Sequence, residues 1–242
     1  MPVWTGPRSQ IQLPEKRMQE KRAPRRTFLA TLAAAAGATV LAPLLSGKRL
    51  DAAAVRSVAA TVAPWDLAWL DQLKGKHRQV FEVGKLEDVP GPLHVVANYL
   101  DVWRDVYHLE YPDVNTVVSI AGSGFPINAN DAMWAKYKLA DRWHLGDSAG
   151  KEGTAHNAFL KAPAGDPKRA SVTALQSRGT IFTQCDKALK AIAREFAMAS
   201  HEPVDTVYEE LVRGLNPGVR LVPANTMLVG LAQEHGCAYE FV

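Results

Sequence analysis

Cys185 is the residue whose type and position in this sequence most clearly favour chemistry. It directly follows the short apolar segment 180–184 and opens an amphipathic segment. A thiol at the start of a helix meets unpaired backbone N–H groups and the positive end of the helix dipole, and both favour the reactive thiolate. Lys187 supports this effect and Asp186 opposes it. The chemical interpretation requires an exposed sulfur; the alternative is an inert thiol buried in the core, where free cysteine is common.

Cys237 is the only other cysteine in the chain. Two cysteines are too few for a disulfide scaffold, although they could form one bridge in an oxidising compartment. Cys237 precedes the last predicted strand, at the edge where parallel strands begin, whereas Cys185 lies where they end. A five-residue strand spans about 16 Å and a disulfide requires Cα atoms within about 7 Å. We therefore predict two free thiols, with Cys237 in a structural role.

Six polar residues follow the predicted strands, in the region where ligands bind to open parallel sheets because loops and helix starts converge there. The predicted ligand-binding residues are His94, Asn98, Ser123, Asn128, Asn225 and Thr226. His94 could polarise a thiol or a ligand, but a single histidine is also commonly structural.

The Gly-Ser-Gly sequence at 122–124 could expose backbone N–H groups to a phosphate or sulfur oxyanion, or simply relieve crowding at a strand-to-helix turn. It lacks the third glycine of a dinucleotide fingerprint and the Gly-Lys-Ser/Thr of a P-loop. Ser123 also lacks the G-x-S-x-G elbow, so a hydrolase triad with His94 is not predicted. No C-x-x-C, H-E-x-x-H or H-x-H motif occurs, and we predict neither a metal site nor a cofactor.

The elements that must position these residues alternate between strand and helix. Apolar runs predict strands at 78–83, 114–121, 179–184, 219–222 and 239–242, and helical spacing predicts helices at 64–73, 92–107, 130–143, 185–198, 203–215 and 225–234. Segment 114–121 is β-branched and nearly all apolar, as is typical of a strand covered on both faces. The pattern predicts an open parallel α/β sheet of about five strands with helices on both faces.

Residues 61–77 form an amino-terminal helix and lead-in, and residues 78–242 form a single α/β domain. One stretch of that domain, 145–178, is rich in Gly, Ala, Lys and Pro and is too long for an ordinary connection. We predict that it is either a flap over a site or a disordered decoration.

Residues 1–60 resemble a twin-arginine export signal and its cleavage region. The motif residues are Arg25, Arg26, Phe28 and Leu29, and the alanine-rich run 27–45 follows them. Gly37 and Pro43 make this run less apolar than a membrane span, so a removable signal is favoured over a retained anchor. We predict a bacterial protein exported to the periplasm or secreted, with the twin-arginine machinery as a partner and no stable membrane insertion.

The net charge of +3 is concentrated at the amino terminus, where residues 1–26 hold seven basic residues and two glutamates. The rest of the chain therefore carries a small net negative charge. Without an excess of Lys and Arg to form a basic surface for nucleic acid, we predict no nucleic-acid partner.

Two segments resemble the DsrE/DsrF-like sulfur-relay family. Residues 182–189, Phe-Thr-Gln-Cys-Asp-Lys-Ala-Leu, look like its strand-Cys-helix element, and residues 218–224 and 231–239 look like its carboxyl-terminal signature. The resemblance implies a flavodoxin-like fold, a homo-oligomer, and a persulfide carried on Cys185 between a sulfur donor and an acceptor protein. The export signal and the long stretch 145–178 depart from this family.

Two functions follow as expectations. The first is an exported protein that carries, transfers or senses sulfur through Cys185. The alternative is a ligand-binding or oligomeric structural protein of the same fold, without covalent chemistry.

Overall fold

The structure, a computed structural model, describes residues 65–84, 86, 90–145 and 155–242. They belong to one compact unit, Val62–Val242. The predicted signal, with its motif residues Arg25, Arg26, Phe28 and Leu29, lies outside the described residues. Within the described part of the chain, no helix is both long enough and apolar enough to cross a membrane.

A five-stranded sheet forms the centre of the fold, and every strand pairing is parallel. The strands are β1 (His77–Val83), β2 (Val114–Ile120), β3 (Ile181–Cys185), β4 (Arg220–Val222) and β5 (Ala238–Phe241). Their order across the sheet is β4-β3-β2-β1-β5. All seven residues of β2 are buried, as predicted for a strand covered on both faces, including the polar residues Asn115, Thr116 and Ser119.

Eight α-helices and one short 3₁₀-helix, Ala68–Gln72, surround the sheet in the described residues. The α-helices are α1 (Pro92–Tyr107), α2 (Phe125–Asn128), α3 (Asp131–Tyr137), α4 (Leu139–Arg142), α5 (Val172–Ser177), α6 (Asp186–Ser200), α7 (Val204–Arg213) and α8 (Asn225–Glu234). The predicted α/β, flavodoxin-like architecture with helices on both faces of a five-stranded parallel sheet is confirmed.

Two hydrophobic clusters show which helices cover which face. Successive side chains of a strand point to opposite faces, and in β1 Phe81 joins the larger cluster while Val80 joins the smaller one. The larger cluster includes Leu189 of α6, and the smaller one includes Leu228 of α8. Helices α6 and α8 therefore cover opposite faces of the sheet.

The change of face creates a crevice between β3 and β4. After β3 the chain passes through α6 on one face of the sheet. After β4 it passes through α8 on the other face, because β5 lies at the opposite end of the strand order, next to β1, and parallel crossovers are right-handed. Adjacent strands with diverging connections leave a gap beyond their carboxyl ends, which is where open α/β sheets bind ligands. Cys185 and Val222, paired in register, end the two strands at this gap.

Two predicted helices differ from the observed ones. The helix expected over 64–73 is reduced to the 3₁₀-helix, in which Trp69 is buried against the core. The helix expected over 130–143 is divided at Lys138, which adopts a left-handed φ of 50° and ends α3. The short helix α2 was not predicted.

Part of the stretch 145–178, for which a flap or a disordered decoration was predicted, packs into the core. Phe159 is fully buried beside Trp134, with ring centroids 6.1 Å apart. The Asn157 amide donates to the carbonyls of Ile127 and Ala129 at 3.0 and 2.6 Å. Residues around Phe159 and between Ala170 and Leu175 therefore belong to the core, whereas most of residues 161–169 are exposed.

Candidate functional site

Cys185 lies at the predicted junction between strand and helix. It is the last residue of β3 and the N-cap residue of α6, and its Sγ accepts the backbone N–H of Ala188 at 3.4 Å. An N-cap acceptor satisfies one of the free N–H groups in the first helical turn. The sulfur is therefore placed in the electropositive first turn of a 15-residue helix.

The burial of Cys185 differs from the expectation of an exposed sulfur, because only 6% of the residue is accessible. Side-chain alternation directs Cys185 to the same face as Thr183, which is fully buried. The thiol is thus covered at the edge of the crevice rather than displayed on the surface.

Asp186, the first residue of α6, is held in place by two partners, one on α7 and one on the next turn of α6. The carboxylate accepts the hydroxyl of Tyr208 at 2.5 Å and forms an ion pair with Lys190 at 2.8 Å. Asp186 is only 4% exposed. Burial and the hydrogen bond to Asp186 together raise the pKa of Tyr208 to about 12. This arrangement ties α6 to α7 directly beside Cys185.

A cavity of about 570 Å³ lies in the crevice between β3 and β4; Asp186, the residue that follows Cys185, lines it, whereas Cys185 itself does not. Pro223 and Ala224 from the end of β4 line one side, and Trp65 also contributes. The basic side chains Lys187, Lys190 and Arg194 of α6 line the cavity as well. Lys190 is paired with Asp186, while Lys187 and Arg194 form no ion pair within the described chain. The cavity is therefore suited to an anion.

The basic lining was missed by sequence reasoning, although the sequence carried a signal for it. Lys187, Lys190 and Arg194 recur at intervals of three and four residues, which is the spacing of one helix face. A search for basic helix faces beside Cys185 would have found them.

Three of the predicted ligand-binding residues lie on the surface away from this cavity. His94 and Asn98 are exposed on α1, one turn apart. Ser123 is exposed after β2, where its hydroxyl donates to the carbonyl of Gly84. None of the three lines the cavity beside Cys185.

Asn128 is a buried structural residue. Its amide donates to the carbonyl of Thr183 and to Oε1 of Gln184, both at 3.1 Å. Gln184 alternates with Cys185 along β3, so its side chain points to the opposite face of the sheet. The backbone of β3 therefore separates Asn128 from the thiol.

Asn225 and Thr226 begin α8 on the same face as Cys185, but they have different environments. Asn225 is 5% exposed; its Oδ1 accepts the Ser119 hydroxyl at 2.5 Å, and its amide donates to Glu82 at 2.7 Å. These bonds fasten α8 to the central strands. Thr226 is exposed. Neither residue lines the cavity beside Cys185.

Cys237 lies between α8 and β5, at the opposite edge of the sheet from Cys185, as predicted. Both cysteines are free thiols. Burial raises the pKa of Cys237, while the nearby charge of Arg78 acts in the opposite direction.

Comparisons with known proteins identify no characterised relative. No family model matches the sequence, and no curated protein matches it. Among solved structures, the chain is similar to a protein of unknown function from Methanobacterium thermoautotrophicum, with 18% sequence identity and a TM-score of 0.37. The alignment covers 69% of this chain and 99% of the other chain. The site is therefore interpreted from its own geometry.

Proposed function

We propose that this protein is an exported DsrE/DsrF-like sulfur carrier, with Cys185 as the residue that holds the transferable sulfur. The observation that supports this most is the N-cap position of Cys185, whose Sγ accepts the N–H of Ala188 at 3.4 Å at the start of α6. That contact stabilises a negative charge on sulfur. The adjacent cavity adds three basic side chains of α6, which attract an anionic sulfur donor.

The proposed reaction conserves atoms and charge. The Cys185 thiolate attacks the outer sulfur of a donor such as thiosulfate, an S–S bond forms on Cys185, and the donor S–S bond breaks. Sulfite leaves with the electron pair of the broken bond. The thiolate of an acceptor protein then attacks the outer sulfur of the Cys185 persulfide, takes that sulfur, and releases Cys185 as a thiolate. No oxidant or reductant is consumed.

A carrier role requires the Cys185 sulfur to become accessible to its donor and acceptor, because only 6% of the residue is exposed in this structure. A covered persulfide is shielded from water and from unrelated thiols, as reactive intermediates in closed sites are. Release to an acceptor then depends on a partner that reaches the crevice at Pro223 and Ala224, which form part of its wall.

Mass spectrometry of the reduced full chain after incubation with thiosulfate or polysulfide tests the proposal. We expect a gain of ~32 Da, one sulfur atom, on the peptide that contains Cys185. The gain should be absent from Cys185→Ser and retained in Cys237→Ser, which is matched in residue type and burial. No gain at Cys185, or an equal gain at Cys237, would refute the carrier role.

Export to the periplasm or to the exterior is part of the same proposal and rests on Arg25 and Arg26. Replacing both with lysine should retain the protein in the cytoplasm of a bacterial host, whereas the unaltered chain should be recovered outside it. Recovery of both proteins in the same fraction would contradict twin-arginine export.

A homo-oligomer is proposed because the edge strand β5 presents large apolar side chains to solvent. Tyr239 is 43% exposed and Phe241 is 64% exposed. An exposed edge strand with apolar side chains is a common site of association. Light scattering should report a mass above the 26.4 kDa of one chain, less the signal where it has been removed.

A second candidate function is a binding module without covalent chemistry, and the 6% exposure of Cys185 favours it. In that case a Cys185→Ser variant should retain all biological activity. Complete loss of activity in a folded Cys185→Ser protein would exclude this candidate.

A further inference from the structure

The two edges of the sheet differ in how they are protected against association. β4 forms one edge and β5 forms the other. β4 has only three residues, and its first residue, Arg220, is exposed. β5 (Ala238–Phe241) contains no lysine or proline and pairs with β1 without a bulge. Short strands, charges, prolines and bulges are the features that prevent one edge strand from pairing with another. The edge at β4 is therefore better protected than the edge at β5.

The backbone of β5 bonds to β1 through alternate residues. The N–H of Val242, directly after β5, donates to the carbonyl of Glu82 on β1 at 2.9 Å. Successive backbone groups of a strand point to opposite sides, so Glu240 also bonds to β1, whereas Tyr239 and Phe241 direct their N–H and C=O groups away from it. No other described strand pairs with β5. Four backbone groups therefore remain free along this edge of the described sheet.

Two exposed aromatic side chains accompany these free groups. Tyr239 and Phe241 are separated by one residue and so share a face of the sheet. The hydroxyl of Tyr239 donates to Glu82 at 2.6 Å, and Glu82 also accepts the amide of Asn225 at 2.7 Å, so this face is the one that α8 covers. Neither aromatic residue is buried. The free edge thus combines backbone hydrogen-bonding groups with apolar area.

A second copy of this chain fits the edge, because β5 is complementary to itself in the antiparallel direction. A two-fold axis through Glu240 places Tyr239 of each copy opposite Phe241 of the other. Both residues direct their backbone groups to this edge, so the two pairs exchange four hydrogen bonds, as hydrogen-bonded pairs of an antiparallel ladder do. The same pairs bring aromatic side chains together across the strands, which stabilises antiparallel pairing. An isologous contact of this kind closes as a dimer.

We propose that two copies of the chain associate by antiparallel pairing of their β5 strands about Glu240, which joins two five-stranded sheets into one continuous sheet. The inference rests on the homo-oligomer proposed above and specifies its interface. It leaves the sulfur site free, because β3 is three strands away from β5, about 14 Å at ordinary strand spacing. Each copy therefore keeps its own crevice beside Cys185.

Hydrogen exchange resolved to single backbone amides tests the pairing directly. The full chain is compared above and below the concentration at which light scattering reports dissociation. We expect the N–H groups of Tyr239 and Phe241 to exchange slowly only in the dimer, and those of Glu240 and Val242, which bond to β1, to exchange slowly in both states. Fast exchange at Tyr239 and Phe241 in the dimer overturns the proposal. Slow exchange at both residues in a single chain also overturns it, because another segment of the same chain then covers the edge.

Two variants at Phe241 separate the backbone bond from the aromatic side chain. Phe241→Ala and Phe241→Pro both remove the ring, but only proline removes the outward N–H, and proline is tolerated on edge strands. We expect the dissociation constant of Phe241→Pro to exceed that of Phe241→Ala about tenfold or more, since two intermolecular hydrogen bonds are lost. Equal dissociation constants would overturn the pairing. Where Phe241→Pro does not fold, the wild-type amide exchange remains decisive.

The register of the pairing is tested by Glu240→Gln. The two-fold axis places the Glu240 carboxylates of the two copies directly opposite each other, and like charges in that position oppose pairing. Removing the charge should therefore tighten the dimer about two- to fivefold. Glu209→Gln removes the same charge from a side chain that is 66% exposed on α7, and it should leave the dissociation constant unchanged. Equal effects of the two variants, or weaker association of Glu240→Gln, would contradict the register about Glu240.

The outcomes distinguish this interface from the other proposals. A dimer in which Tyr239 and Phe241 exchange rapidly overturns the β5 pairing and leaves the homo-oligomer standing, whereas a chain that stays monomeric at every concentration contradicts both. The gain of ~32 Da at Cys185 should be the same in Phe241→Pro as in the wild type, because the crevice lies away from the interface. Loss of that gain in a folded Phe241→Pro protein would contradict an interface remote from the sulfur site.

Discussion

Cys185 and Cys237 are equally buried, at 6% exposure each, yet they occupy opposite edges of the same sheet. Cys185 ends β3, accepts an N–H from the first turn of α6, and lies beside a cavity lined by cations. Cys237 follows α8, and burial raises its pKa. Matched exposure with contrasting surroundings makes the second thiol an internal control for the first.

The comparison shows that two thiols of equal exposure can occupy opposite positions in a parallel α/β fold. Residues at the carboxyl ends of the strands lie at the starts of the following helices, where N–H groups and the helix dipole favour negative charge. Strand beginnings receive chains from helix ends, where the dipole has the opposite sign. The two cysteines therefore lie at opposite ends of their neighbouring helices, Cys185 at the start of α6 and Cys237 after the end of α8.

The largest effect is expected from Asp186→Ala, which removes the buried carboxylate beside Cys185. The hydroxyl of Tyr208 and the ammonium of Lys190 would lose their acceptor. We expect the free energy of unfolding to fall by about 2–3 kcal/mol, measured by urea denaturation, because hydrogen-bonded buried charges are costly to disrupt. Asp205→Ala, at an exposed residue in the first turn of α7, is the control and should cost less than about 1 kcal/mol. Equal losses would show that the junction at Cys185 is not specially held.

The two thiols should differ in their rates of alkylation. At pH 7.5, iodoacetamide should modify Cys185 about tenfold faster than Cys237, because thiolate is the reactive form and burial disfavours it at Cys237. Cys185→Ser and Cys237→Ser proteins isolate each rate by mass spectrometry. The rate at Cys237 should increase only above the pH at which ordinary thiols ionise. Equal rates at pH 7.5 would remove the distinction between the two edges.

The architecture could be predicted from sequence because its signals are local. Helices α1 and α8 have the predicted bounds, since Pro92 and Asn225 mark their starts and apolar spacing follows. The mostly apolar, β-branched sequence of β2 predicted a parallel sheet. The junction at Cys185 followed from the same strand-to-helix pattern.

The composition of the sites could not be predicted, because it depends on which face each side chain takes and what covers it. Asn128 and Cys185 both lie near the end of β3 in space, but the sheet separates them. Segment 155–178 reads as a loop because Phe159, Val172 and Leu175 show no regular period, yet all three are buried. Lone apolar residues carry no local signal of the core they join.

A smaller effect is expected from the cations beside Cys185. Under the sulfur-carrier proposal, Lys187→Gln and Arg194→Gln should each slow loading by thiosulfate about two- to threefold, since exposed charges steer anions weakly and are screened by salt. The wild-type rate should fall with added sodium chloride. Lys168→Gln, at an exposed lysine that does not line this cavity, is the matched control. Equal slowing by Lys168→Gln would assign the effect to net charge.

The smallest effect is a change of stability at alkaline pH. It compares a tyrosine near each cysteine, Tyr208 and Tyr239. Tyr208 bonds to Asp186 beside Cys185, and its pKa of about 12 in the folded state exceeds its ordinary value of 10.0. Between these values the unfolded chain loses the proton first, so the folded state binds more protons and stability falls as pH rises. The stabilisation should be complete below pH 10 and lost by about pH 12.

Tyr239, two residues after Cys237, supplies the comparison at the other edge. Its hydroxyl donates to Glu82 at 2.6 Å, which raises its pKa, but the residue is 43% exposed and solvent screens the interaction. The free energy of unfolding is measured from pH 9 to 12 for the wild type and both variants. Tyr208→Phe should reduce its dependence on pH more than Tyr239→Phe does. The reverse order would mean that solvent screens the hydrogen bond between Tyr208 and Asp186 as much as it screens the bond at the exposed strand β5. It would contradict a covered site beside Cys185.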